Sequence, residues 1–137
     1  MIQIYMRHDM EWQKDYNTGI TSIDEQHQKL CHMTSKLDAA MDSDEVNQMM
    51  GQILKELVEY VKFHFTDEEK IMKNLSFPDL ERHKKLHKDL VTQVANILVD
   101  IKNGKDISAL ELVVFLQKWL IGHIVGEDKK IGDYFYR

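Results

Sequence analysis

Apolar residues recur at alternating steps of three and four along four stretches of the chain, and no stretch shows the two-residue alternation of a half-buried strand. The pattern predicts an all-α protein. The first stretch runs from about Ser22 to Met41 on the seam Ile23, His27, Leu30, Thr34, Leu37, Met41, with Ser22 and Glu25 at capping-box spacing. The second starts at the acidic Asp44-Glu45 pair and runs to about Asn74, on the seam Met50, Leu54, Leu57, Val61, His64, Glu68, Ile71, Leu75. Pro78 restarts the chain, and a third seam of Leu80, His83, His87, Leu90, Val94, Ile97 and Ile101 ends at Asn103-Gly104, a helix-stop signal. Ser108 and Glu111 cap a fourth helix with the seam Leu112, Leu116, Trp119, His123. Breaks of a few residues place successive helices side by side, which predicts an antiparallel up-down-up-down four-helix bundle over residues 22–137. Residues 1–21 form an N-terminal arm expected to lie across the bundle and bury Trp12 and Tyr16.

Composition narrows the partners. The 137 residues, 43% hydrophobic and 30% charged, suit one compact domain, and the net charge of −5 argues against nucleic acid or an acidic membrane surface. The apolar stretch from Leu112 to Val125 is interrupted by Gln117, Lys118 and His123 and falls short of a membrane span. Met1 to Met10 lack the pattern of an export signal, and a lone Cys31 excludes an internal disulfide, so a cytoplasmic protein is expected. Well-charged exposed faces favour a monomer.

The seams carry an anomaly. His27, His64, Glu68, His83, His87 and His123 occupy positions that should be core. A buried neutral polar group without partners costs on the order of 2 to 7 kcal/mol, and a charge costs more. At about 1.5 Å of rise per residue these positions also fall at one level of the bundle, where a metal would take the lone pairs otherwise stranded. His64 and Glu68, like His83 and His87, are four apart and project from one helical face. Asp128 lies five residues after His123, a step that overshoots one turn of a regular helix by about 140°. Gly126 between them predicts that the helix loosens or ends there, letting Asp128 swing inward. Seven donors exceed the needs of one ion and suit two ions bridged by carboxylates. The nitrogen and oxygen set fits iron, with zinc or manganese able to occupy the same ligands. No glutamate here has a histidine three residues on, which disfavours ferritin-like and oxygenase-like centres.

These residues resemble the hemerythrin family, in particular its single-domain bacterial members, over almost the whole chain. The similarity runs from Trp12 to Ile20 into Ile23-Asp24-Glu25-Gln26-His27, then His64-Phe65-Thr66-Asp67-Glu68-Glu69, His83-Lys84-Lys85-Leu86-His87, Trp119 to Ile124, and Asp128. The resemblance implies that His83, His87 and His123 hold one iron, His27 and His64 the other, and that Glu68 and Asp128 bridge both with an oxo or hydroxo group. It further implies reversible O₂ binding at the two-histidine iron, and a hydrophobic wall in which Trp119 and Leu120 take part. His8 and His32 fall outside the motif and are expected at the surface, and Tyr134 and Tyr136 are expected to pack or cap the bundle.

An oxygen-binding protein without enzymatic turnover is therefore the leading expectation. Peroxide or nitric oxide chemistry at the same centre is the alternative, since nothing on the seams supplies or denies a further acid or base. A sensor would adjoin a signalling domain, and the 137 residues contain none, which lowers that reading.

Overall fold

The computed structural model describes residues 12–137, so His8 lies outside the described residues. A 3₁₀ turn at Lys14–Tyr16 precedes α1 (Thr21–Ala40), α2 (Val46–Asn74), α3 (Leu80–Lys102) and α4 (Ala109–His123). A π-helical turn at Ile124–Asp128 then leads without a break into a short α5 (Lys129–Phe135). No strand is present among the described residues. Helix α1 packs against α2 and α4, and α2 also packs against α3.

The helix ends show how local chemistry sets the boundaries. Ser108 caps α4 by accepting from the Glu111 backbone N–H at 3.3 Å, as its sequence predicts. The capping box expected at Ser22 and Glu25 is not formed. Instead α1 begins at Thr21, and the carboxylate of Asp24 reaches back to accept from Thr18 N, Thr18 Oγ1 and Gly19 N at 2.8, 2.8 and 3.0 Å. A carboxylate satisfies three donors there, more than a serine hydroxyl can, and so draws the preceding turn onto the helix. Helix α2 ends in a Schellman turn with Ser76 at φ 54°, Phe77 N bonding to Met72 O and Ser76 N to Lys73 O. The apolar contact of that motif is the packing of Phe77 with Met72.

The apolar interior comes in two parts. A large cluster includes Leu30, Leu37, Leu54, Leu57, Val61, Val94, Leu112, Leu116 and Ile124. A smaller one, Ile23, Met72, Phe77 and Ile131, lies one turn beyond His27, Glu68 and Asp128 along their helices. The polar seam residues therefore form a layer with apolar packing on both sides.

The arm reaches both parts, Trp12 and Tyr16 packing against the large cluster and Ile20 against the smaller one. Trp12 and Tyr16 are partly buried against the core, their rings edge-to-face at 5.3 Å. Gly132 of α5 meets the Thr18 backbone so closely that an added Cβ would stand 2.0 Å from Thr18 O. Tyr136 donates to Gly19 O at 2.7 Å and Tyr134 to Ser76 O at 3.3 Å, so both tyrosines tie the C-terminal helix to neighbouring turns, in keeping with a packing role. Gly132→Ala should cost about 1 to 3 kcal/mol, because the obstacle is backbone and has no rotamer into which to retreat. Urea denaturation curves of the variant and parent proteins measure it.

One expectation fails on length. The continuous helical run Ala109–Phe135 contains an 18-residue window of mean hydropathy 1.4, long and apolar enough by length and composition to cross a membrane. Its apolar residues Leu112, Val113, Leu116, Trp119, Leu120 and Ile124 belong to the bundle core, and it carries Asp128 in the polar layer.

Candidate metal centre

The polar layer is assembled from all four main helices and the π turn. Helix α1 presents His27, α2 presents His64 and Glu68 one turn apart, α3 presents His83 and His87, and α4 ends in His123. Asp128 comes from the end of the π turn. A π turn winds the backbone more slowly than an α turn, so a residue five positions on returns toward the same face. Asp128 Oδ1 accordingly stands 3.0 Å from His123 Nε2. The helix therefore loosens at Gly126, as its sequence predicts, and resumes as α5 rather than ending.

All seven predicted residues meet. Glu68 and Asp128 are fully buried, and the side chains of His27, His64, His83 and His87 are at most 2% exposed, that of His123 8%. Their donor atoms fall into two groups, Glu68, His83, His87, His123 and Asp128 in one and His27, His64, Glu68 and Asp128 in the other. Each shared carboxylate points one oxygen to each group. Glu68 Oε2 lies 3.5 Å from His27 Nε2 and 3.3 Å from His64 Nε2, whereas Oε1 lies 3.1 Å from His83 Nε2 and 3.0 Å from His87 Nε2. Asp128 Oδ2 is 2.9 Å from His27 Nε2, whereas Oδ1 is 2.9 Å from His83 Nε2.

His83 Nε2 is hydrogen-bonded to Glu68 Oε1 and Asp128 Oδ1, but most of the layer is not paired in this way. The Nε2 atoms of His27, His64, His87 and His123, with Glu68 Oε2 and Asp128 Oδ2, are buried and satisfied by no hydrogen bond among the described residues. Such unsatisfied buried polar atoms, aimed at common points at a cost of a few kcal/mol each, fit cations held between them once any proton is displaced. The donor set suits iron, and its division into two groups suits two ions.

The layer's electrostatics point the same way. Burial disfavours the charged forms, yet the carboxylates of Asp128 and Glu68 outweigh it and raise His27 and His83 to about 9. Burial and the neighbouring Glu68 oppose ionisation of Asp128, but His123 and His27 prevail and bring it to about 2. Glu68, likewise buried, is held well below the usual carboxylate range by His27, His64, His83 and His87. In the metal-free protein at pH 7, His27 and His83 thus carry protons that a metal must displace. Metal uptake should release about two protons at pH 7 from these residues and progressively fewer as pH rises through 9. Titration calorimetry in buffers of different ionisation enthalpy counts them. Since both folded values exceed the ordinary 6.5, their stabilisation of the metal-free fold is present below 6.5 and fades as pH rises through 9.

A family model described as the hemerythrin HHE cation binding domain matches residues 18–135. The chain belongs to the hemerythrin family. It is 35% identical to a bacteriohemerythrin of Stenotrophomonas maltophilia over 122 residues, 89% of this chain and 78% of that protein. It is 30% identical over 120 residues to a myohemerythrin of Theromyzon tessulatum, covering 88% of each. The crystal structure of wild-type hemerythrin superposes with a TM-score of 0.84 at 28% identity, covering 94% of this chain and 99% of that one. A leucine-to-tyrosine mutant of hemerythrin superposes with a TM-score of 0.87 at 26% identity, covering 96% and 100%.

The surroundings of the centre were less legible in the sequence of this family member. Phe65 stacks face to face on His87 at 3.7 Å and lies 5.6, 5.7 and 6.3 Å from the rings of His64, His123 and Trp119. Trp119 and Leu120 are 8% and 3% exposed and share a core cluster with Phe65. Trp12 of the arm lies 6.3 Å from the His27 ring. Phe65 follows His64 directly, and that adjacency was the one available signal, since burial of a phenylalanine needs no special explanation. His32 is exposed, as expected, and plays no part in the layer.

Proposed function

We propose that the chain binds O₂ reversibly at a pair of non-haem iron ions held by His27, His64, Glu68, His83, His87, His123 and Asp128. The observation that carries this reading is the splitting of both carboxylates, one oxygen toward each histidine group. When bound, the iron pair supplies reversible exchange of one electron per iron with O₂. The protein's part is to hold the two ions unequally. The group of His27 and His64 has one protein donor fewer than the group of His83, His87 and His123, which leaves coordination space for a small ligand there. Phe65, Trp119 and Leu120 serve as an apolar wall that keeps bulk water from that space and slows irreversible oxidation.

In this reading residues 22–137 form the binding unit, residues 1–21 an arm seated on it, and the protein is a cytoplasmic monomer acting as an oxygen carrier, store or scavenger rather than as an enzyme. The test is the absorption spectrum of the reduced, iron-loaded protein on admitting and then removing air. Charge-transfer bands that come and go over repeated cycles are expected. One-way oxidation accompanied by peroxide turnover would replace the carrier with an enzyme. Leu120→Ala should admit water and speed autoxidation by about tenfold or more, the rate expected from about 1.4 kcal/mol of lost protection. An unchanged rate would remove Leu120 from the wall.

A further inference from the structure

The two groups of the metal centre differ in what supports their histidines from behind. His87 donates its Nδ1–H to Glu69 Oε2 at 2.8 Å, a carboxylate whose side chain is 26% exposed. His64 donates its Nδ1–H to Gln26 Oε1 at 2.6 Å, an amide oxygen. Gln26 is fixed in that orientation because its Nε2 donates to Asp67 Oδ2 at 2.8 Å, so only its oxygen is left to face the ring. Both contacts place the proton on Nδ1 and leave Nε2 free for the metal. They differ in charge. A carboxylate acceptor draws the imidazole proton and makes Nε2 a stronger donor, whereas an amide orients the ring without adding negative charge.

We infer that Gln26 and Glu69 are positioning residues that set unequal electron donation in the two halves of the centre. Glu69 strengthens the three-histidine half in its oxidised state, and Gln26 keeps the two-histidine half weakly donating so that it gives up its ligand readily. This rests on the di-iron reading above, and α1 supports it by the placement of its residues. Gln26 directly precedes His27, so one turn of α1 supplies both a donor to the two-histidine half and the support of that half's other histidine. Asp67 and Glu69 flank Glu68 in the same way on α2, one on each side of the shared carboxylate.

The test exchanges the acceptors. Glu69→Gln removes the carboxylate behind His87. Gln26→Glu combined with Asp67→Asn places one behind His64, keeps net charge unchanged and preserves the side-chain bond between the two positions. In mediated redox titrations of the iron-loaded protein, Glu69→Gln should shift the potential upward and the double variant should shift it downward. Zinc as a redox-inert probe gives a second readout in proton NMR. The His87 Nδ1–H resonance should move upfield in Glu69→Gln and that of His64 downfield in the double variant, with zinc affinity falling about ten- to a hundredfold in Glu69→Gln. A merely structural role would weaken metal binding in both variants and shift both potentials the same way, and that result overturns the inference, as do unmoved resonances. Should the double variant fail to fold, Glu69→Gln decides alone. The zinc resonances also separate failure of this inference from failure of the di-iron reading, because they do not depend on iron.

Discussion

Glu68→Ala should leave a protein that retains almost none of its metal, with iron per chain falling more than about tenfold on elemental analysis after gel filtration. Glu68 is the one α2 residue that reaches both groups, with Nε2 atoms of four histidines between 3.0 and 3.5 Å from its oxygens. Its loss removes an oxygen donor from each of the two groups and one of the two carboxylates that they share. His64→Ala is the informative contrast, because His64 belongs to the smaller group alone. That variant should keep metal in the other group. Equal losses in the two variants would mean that Glu68 does not join the two halves.

Stripping the metal from the intact protein should lower its Tm by about 12 to 20 °C. A ligand present at about a thousandfold above its Kd contributes about 4 kcal/mol to the folded state, and at this chain length each kcal/mol moves Tm by about 3 to 5 °C. The structural reason is the set of unsatisfied buried atoms, since His27 Nε2, His64 Nε2, His87 Nε2 and His123 Nε2 have no protein hydrogen bond to fall back on among the described residues. Differential scanning calorimetry before and after chelation, followed by re-addition of ferrous iron, measures the loss and its recovery. A Tm unmoved by chelation would place the stability of the layer in its histidine–carboxylate contacts instead.

The sequence made most of this visible for a definite reason. Helical periodicity assigns burial, and His27, His64, Glu68, His83 and His87 declare themselves by being polar where periodicity demands apolar side chains. Asp128 does not follow the period, and it was legible only through its spacing from His123 and the glycine between them. What widens the turn there is a π-helical segment, a backbone state that no residue type uniquely encodes. The supports Gln26, Asp67 and Glu69 were invisible because they sit on partly exposed positions where a polar residue is unremarkable. Their roles depend on the rotation of one helix against the next, which periodicity does not fix. The Ser22 and Glu25 box failed by competition, Asp24 offering two oxygens where Ser22 offers one.

The turn at Thr18 and Gly19 has a consequence for where the working unit begins. It is gripped by Asp24, one turn before His27, and pressed by Gly132, one turn after Asp128. It therefore joins α1 to α5, close in sequence to His27 and Asp128, whose side chains meet at 2.9 Å. A chain shortened to start at Thr21 would keep every helix and every candidate ligand, yet lose this brace. Asp128, in the π turn that leads into the helix this turn presses on, would then be the first candidate ligand to wander, so loosening should spread from the C-terminal end while the histidines of α2 and α3 stay in place.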